Sequence, residues 1–209
     1  MGRLTGMEAV SETPEKVLLM YEAVHKLVGE GVILTDLKVS AITEQAGIGK
    51  GTAYEYFETK EELLACAFIF YVNRMAEEIS RRLGGFDNLR EQIDHVFEQL
   101  DRDSQRKYCF VRFVHAVTDD SRFSLLVRDK LTNNPEVKNF PDYLFGDLVR
   151  QGVERGEING DIPVDYLIYS VFCKVLTYMM GICAEECFHT DVLRIRELVI
   201  EGIIRDLKG

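Results

Sequence analysis

No apolar run of about eighteen residues occurs in this 209-residue chain, so a membrane-spanning helix is not expected. The opening MGRLTGMEAVSETPEK also lacks the apolar stretch of a secretory signal, which points to a cytoplasmic protein. Cysteine is sparse: five residues, an odd number with no C-x-x-C pair, exclude a disulfide framework and read as reduced thiols. Positive charge is short, because 25 Lys and Arg stand against 35 Asp and Glu for a net charge of -10. That balance excludes a histone-like coat and a polybasic membrane binder. Any nucleic-acid contact must therefore be local. Proline is rare, at positions 14, 135, 141 and 163, and two-residue apolar alternation is nowhere sustained, which leaves little room for strands.

What is present is a chain with 46% apolar and 29% charged residues, the balance of a folded protein with a sizeable core. Its length suits one ordinary domain, or a small domain joined to a larger one. Thr13 and Pro14 read as the N-cap and first position of a helix carrying Val17, Met20, Tyr21, Val24, Leu27 and Val28 on one face, with its exit at Gly31. After a connector from Val32 to Leu37, a short helix places Val39, Ile42 and Ala46 on one side until Gly47. A second short helix runs from about Lys50 to Tyr56. Thr59 and Glu62 form a T-x-x-E capping box opening a long helix through Leu63, Phe68, Tyr71, Met75, Ile79 and Leu83, which Gly84 and Gly85 end.

Helical spacing continues through Leu89, Ile93, Val96, Phe97 and Leu100, then Val111, Val114 and Val117, then Phe123, Leu126, Val127 and Leu131. The pattern breaks from Asn133 to Pro141 and resumes with Tyr143, Leu144, Leu148 and Val149. Gly156, Asn159, Gly160 and Pro163 mark the turn into the last two helices. Of these, Val164 to Cys187 is apolar nearly all round, and the final helix, about Asp191 to Leu207, is rich in aliphatics. Burial on more than one side follows, and with it a homodimer whose interface is a four-helix bundle from the last two helices of each subunit. The expected fold class is all-α.

The stretch with a functional signature is Val39 to Leu63. Two short helices joined by Gly47-Ile48-Gly49 make a helix-turn-helix, whose second helix lies in the DNA major groove. Gly47 can take the left-handed backbone angle that ends the first helix, and Ile48 can plug the small core between them. Gly49, Gly51 and Thr52 allow the start of the second helix to come close to a surface, where free amides attract phosphate. The segment Thr13 to Leu64 nevertheless holds five lysines against nine acids, so non-specific DNA affinity should be weak and strongly salt-dependent. Glu55 either accepts from a cytosine amino group or is simply solvated, and the solvated reading is favoured.

The pattern Ala46-Gly47-Ile48-Gly49-Lys50-Gly51-Thr52-x-Tyr54-x-Tyr56-Phe57-x-x-Lys60-Glu61-Glu62-Leu63 resembles the recognition helix and following turn of the tetracycline-repressor (TetR) family of bacterial transcriptional regulators. The resemblance is strong from Pro14 to Ala67 and weak beyond, where Gly152 to Ile158 is similar to a turn common before the last two helices. It implies a three-helix DNA-binding domain over residues 1–58, with its core in 14–57. A long fourth helix joins this to a helical effector-binding and dimerisation domain over 59–209. It implies that Gly49, Lys50, Gly51, Thr52, Tyr54, Tyr56 and Lys60 face DNA, with Val39 and Ser40 near the backbone. Three departures stand out: a connector after Gly31 about two residues longer than the common form, Thr43 where alanine is usual, and Ala53 in place of a larger aliphatic.

The implied function is a ligand-responsive repressor, homodimeric on a palindromic double-stranded DNA operator and answering to a small, mostly apolar or aromatic effector. Candidate pocket residues are Phe68, Tyr71 and Met75 on the long helix, with Phe97, Phe113, His115, Tyr143, Phe172 and Lys174 further on. The aromatics are first of all core and secondarily a lining. His115 is either a hydrogen-bonded core histidine or a ligand contact. Lys174, inside an apolar helix, wants a carboxylate, an anionic ligand or an interface partner. Cys183, Cys187 and His189 are close in sequence, but cysteines on an apolar helix read as packing, so no metal or cofactor is expected. Histidines 25, 95, 115 and 189 fall in no catalytic spacing, which makes an enzyme the weakest alternative. A helical interaction module that kept the hairpin without DNA binding is the other.

Overall fold

The computed structural model describes residues 4–101, 120–133, 140–183 and 191–209. Among them every regular element is helical. The α-helices are α1 (Glu15–Gly29), α2 (Val39–Gln45), α3 (Lys50–Tyr56), α4 (Lys60–Leu83), α5 (Leu89–Asp101), α6 (Arg122–Thr132), α7 (Phe140–Glu154), α8 (Val164–Cys183) and α9 (Val192–Lys208). A single 3-10 turn, Leu34–Asp36, lies in the connector between α1 and α2. The expected helix through Val111, Val114 and Val117 falls outside the described residues, as do Cys187 and His189. No helix of the described residues is long and apolar enough to cross a membrane.

Local chemistry sets most of the boundaries. α1 begins one residue later than its sequence suggests: Pro14, not Thr13, is the N-cap. The reason is that the Thr13 hydroxyl donates backward to the Ala9 carbonyl at 2.9 Å and is spent on the preceding turn. The capping box at α4 forms with a shifted return arm. The Glu62 amide donates to the Thr59 hydroxyl at 3.1 Å, while the Glu62 carboxylate accepts from the Glu58 amide at 2.9 Å, one residue further back than the usual reciprocal bond. At α9, the Asp191 side chain caps the helix by accepting from the Leu193 amide.

The chain divides into two compact units. One gathers the described residues up to Met75 together with 120–133, and the other takes the remaining described residues from Ala76 onward. In the first, α1, α2 and α3 pack on one another around Met20, Tyr21, Val24, Ile42, Ala53 and Phe57, all buried. The buried face of α4, with Leu63, Leu64, Ala67 and Phe68, and the buried face of α6, with Phe123, Val127 and Leu131, belong to this unit as well. α4 is thus one continuous helix that supplies core residues to both units.

In the second unit α8 packs between α7 and α9, and α5 packs on α7 and α9. Leu89, Ile93, Val96, Phe97 and Leu100 bury the apolar face of α5, as their spacing requires. Its start is held from the side: the Leu89 amide donates to Glu157 Oε2 at 2.6 Å, and Arg155 Nε donates to Glu157 Oε1 at 2.6 Å. The amide bond, then the guanidinium, hold the Glu157 carboxyl below the usual carboxylate range. A depressed carboxyl contributes stability above its unfolded-state pKa and loses it as pH falls through the folded value. Glu157→Gln is therefore expected to lower the melting temperature at pH 7 by roughly 2 °C, with the gap to wild type closing as pH drops below the carboxylate range. Thermal melts across pH check this, and a gap that widens in acid would contradict it.

Candidate nucleic-acid interface

The hairpin of α2 and α3 turns at Gly47, whose φ of +68° lies in the left-handed region where a Cβ is strained. The Gly47 amide donates to Glu44 O at 3.1 Å and the Ile48 amide to Thr43 O at 2.9 Å, closing the end of α2. Thr43, the departure within α2, is buried, and its hydroxyl donates to the Val39 carbonyl at 3.0 Å, so the extra polar atom is satisfied inside the helix. Ala53 is 2% exposed and faces inward with Phe57. A small side chain where the three helices α1, α2 and α3 meet accounts for the third departure. The longer connector is occupied by the 3-10 turn, with Leu34 and Leu37 buried and Val32 and Ile33 exposed.

The outward face of α3 presents Lys50, Gly51, Tyr54 and Glu55, all exposed, with Thr52 and Tyr56 half-buried at its flanks. Tyr54 is 52% exposed, a large side chain with no core to serve. Glu55 lies on this same exposed face. A Cβ built at Gly49 or Gly51 meets nothing within 4 Å, so no packing inside the chain requires glycine at either position. Ser40 is exposed at the start of α2, whereas the Val39 side chain is buried, so a surface partner can reach Val39 only through its backbone. Lys60 is half-buried and donates to the Thr35 carbonyl at 2.8 Å, tying the start of α4 to the 3-10 turn. That tie has no signal in the sequence, because its acceptor is a backbone carbonyl 25 residues away. Lys38, exposed just before α2, is a further cation on this side of the hairpin that the motif does not single out.

The candidate pocket residues are distributed between the two units. In the first, Phe68 meets Phe123 edge-on at 5.9 Å, Tyr71 stacks on His25 at 4.2 Å, and Met75 is buried. In the second, Phe97 packs on Tyr178 at 4.9 Å, Phe172 lies 6.4 Å from Phe145, and Tyr143 is half-buried. Phe113 and His115 fall outside the described residues. Lys174 pairs with Asp206 of α9 at 2.7 Å, and this ammonium holds the Asp206 carboxyl below the usual range. It borders a groove of about 410 Å³ between α8 and α9 with Thr177, Ile195, Leu198 and Gly202. A second cavity, of about 590 Å³, is lined by Leu89, Arg90, Glu157, Ile158, Ile204 and Lys208 and by none of the expected pocket residues. Among the described residues no group of three side chains could hold a metal ion.

Residues 34–66, which hold this hairpin and its exposed face, match the family profile described as "Bacterial regulatory proteins, tetR family". The helix-turn-helix segment is thus similar to that of TetR-family regulators. Among curated relatives, the fatty acid metabolism regulator protein from Bacillus subtilis (strain 168) is 28% identical over 131 residues, or 61% of this chain. The match spans 63% of that relative's length. The fold is shared by the fatty acid degradation regulator FadR from Bacillus halodurans, with a TM-score of 0.68 at 19% identity, covering 95% of this chain and 99% of that one. It is shared too by the transcriptional regulator FadR from Bacillus subtilis in complex with stearoyl-CoA, with a TM-score of 0.64 at 19% identity over 90% of this chain and 97% of that one. Each of these relatives is named as a regulator.

Proposed function

We propose that this chain is a cytoplasmic, DNA-binding, ligand-responsive repressor of the TetR family that acts as a homodimer on a palindromic operator. The observation that carries the reading is the exposed outer face of α3, inside the segment that matches the family profile. On this reading Lys50, Gly51, Thr52, Tyr54 and Tyr56 address the major groove, while Ser40, Lys60 and the backbone at Val39 and Gly49 address phosphates. Residues 1–58 form the reading domain, and the remainder serves effector binding and dimerisation.

Support for the dimer comes from α8 and α9. Tyr166 and Tyr169 are 61% and 47% exposed on α8, and Leu193 and Leu198 are 68% and 48% exposed on α9. Large apolar side chains exposed together on adjacent helices are unusual for a monomer and suit burial against a second copy. The effector we favour is a long-chain acyl-CoA, because a curated relative is a fatty acid metabolism regulator and a structural relative is described in complex with stearoyl-CoA. Phe68 and Tyr71 remain the proposed contacts on α4.

The test is a gel shift with the DNA upstream of the chain's own gene, with and without stearoyl-CoA. A shifted band that stearoyl-CoA releases is expected, and binding no tighter than to unrelated DNA would contradict the reading. Tyr54→Ala should weaken specific binding by roughly tenfold while leaving the melting temperature unchanged, since the side chain contributes little to the core. Fluorescence anisotropy beside a thermal melt checks it, and an unaltered affinity removes Tyr54 from the interface.

A further inference from the structure

A buried polar cluster in the first unit has no part in the hairpin. Glu62, 3% exposed, caps α4 through the Glu58 amide and also faces Lys130 of α6, with 3.7 Å between Nζ and Oε1. Both side chains are nearly withdrawn from water, at 8% exposure for Lys130 and 4% for Glu62. The same ammonium donates to the Leu4 carbonyl at 2.6 Å. That carbonyl also accepts from the Cys66 thiol at 3.4 Å. Burial pushes the thiol up to about 11, so it stays protonated and able to donate at neutral pH.

The segment from Leu4 is therefore fastened to α4 and α6 at one carbonyl. It is shaped for the place. Gly6 has a φ of +88°, and a Cβ there would stand 2.4 Å from the Cys66 carbonyl oxygen, closer than any side chain allows. The Glu8 carboxylate accepts from the Thr5 and Gly6 amides, which folds the segment back on itself. Phe123 against Phe68 supplies an apolar contact between α6 and α4 further along.

An ion pair this far from water is costly to open, because each partner would be left buried and uncompensated. α6 and the first turn of α4 are consequently fixed to one another, and only Phe57 to Thr59 separate that turn from α3. We propose that Lys130 is a positioning residue that clamps α6 to the first turn of α4, with residues 4–8 as the strap that holds the clamp shut. The recognition helix then follows any displacement of α6. This second step rests on the ligand-responsive reading, whereas the clamp itself does not.

The test uses the full chain and three forms: wild type, Lys130→Met, which keeps the length of the stem, and Gly6→Ala, which dislodges the strap but leaves the ion pair's side chains in place. Hydrogen exchange without DNA or ligand comes first. Both variants should speed exchange in α6 and in the first turn of α4 together, by at least about tenfold, while α5 keeps its wild-type rates. Unchanged α6 exchange, or equal acceleration in α5, overturns the clamp. Operator affinity is then measured with and without stearoyl-CoA. The wild-type ratio of the two affinities should fall to within about twofold of one in Lys130→Met, with ligand-free affinity largely retained. A full wild-type ratio in Lys130→Met overturns the positioning role. If wild type shows no response to stearoyl-CoA, the effector assignment fails, and the exchange result still decides the clamp.

Discussion

Leu198→Glu should convert a tight operator binder into a monomer with roughly 10²-fold weaker affinity for a two-half-site duplex. Leu198 is 48% exposed on α9 and borders the apolar groove between α8 and α9. In a single copy, a glutamate there would sit in water at almost no cost, so the fold should be kept. In a dimer formed through these helices, a glutamate at this position would take a charge from each subunit out of water, a desolvation cost that opposes dimerisation. One reading head then binds one half-site, and the gain from linking two heads is lost. Sedimentation beside DNA titration checks both parts. A dimeric Leu198→Glu with unaltered affinity would place the interface elsewhere.

The second large effect is expected at Gly51, where stability and DNA affinity should move in opposite directions. Glycine within a helix costs about 0.5–1 kcal/mol relative to alanine. Since an added Cβ at position 51 meets nothing within 4 Å, Gly51→Ala should recover that amount and raise the melting temperature by a few degrees. The same methyl stands on the face proposed to lie against DNA. Where the chain itself has no use for glycine, a close external surface is the remaining reason for it, and the methyl should cost affinity by about tenfold or more. A variant that is both more stable and fully active on DNA would remove α3 from close contact.

Elements built from neighbouring residues were legible in the sequence. The hairpin could be read from Gly47 and the apolar positions at Val39 and Ile42, and the start of α4 from Thr59 and Glu62, because each depends on bonds within one or two turns. Of the residues that the family resemblance implied for the DNA-facing side of α3, Lys50, Gly51 and Tyr54 are exposed, while Ala53 and Phe57 turn inward. Long-range ties were not legible. Nothing near Lys60 in sequence announces the Thr35 carbonyl, and nothing near Lys130 announces Leu4 or Glu62. Lys174 lies between these cases: an amine on an apolar helix called for a partner, and Asp206 is one, but only the packing of α8 on α9 selects it. Apolar and aromatic residues were correctly expected to be buried at Phe97 and Phe68, since burial follows from composition. Whether such residues line a cavity depends on how helices far apart in sequence meet, which spacing within one helix does not encode.

Selection from a random-sequence duplex library with the purified full chain tests the central claim most directly, because it presumes neither an operator nor an effector. The expected result is enrichment of one inverted repeat whose half-sites lie about one helical turn, or a multiple of it, apart, with binding that weakens steeply as salt rises. Enrichment should vanish for a variant with Lys50, Thr52 and Tyr54 all replaced by alanine. A library that emerges with no common sequence, or one that the triple variant enriches equally well, would contradict sequence-specific reading by α3.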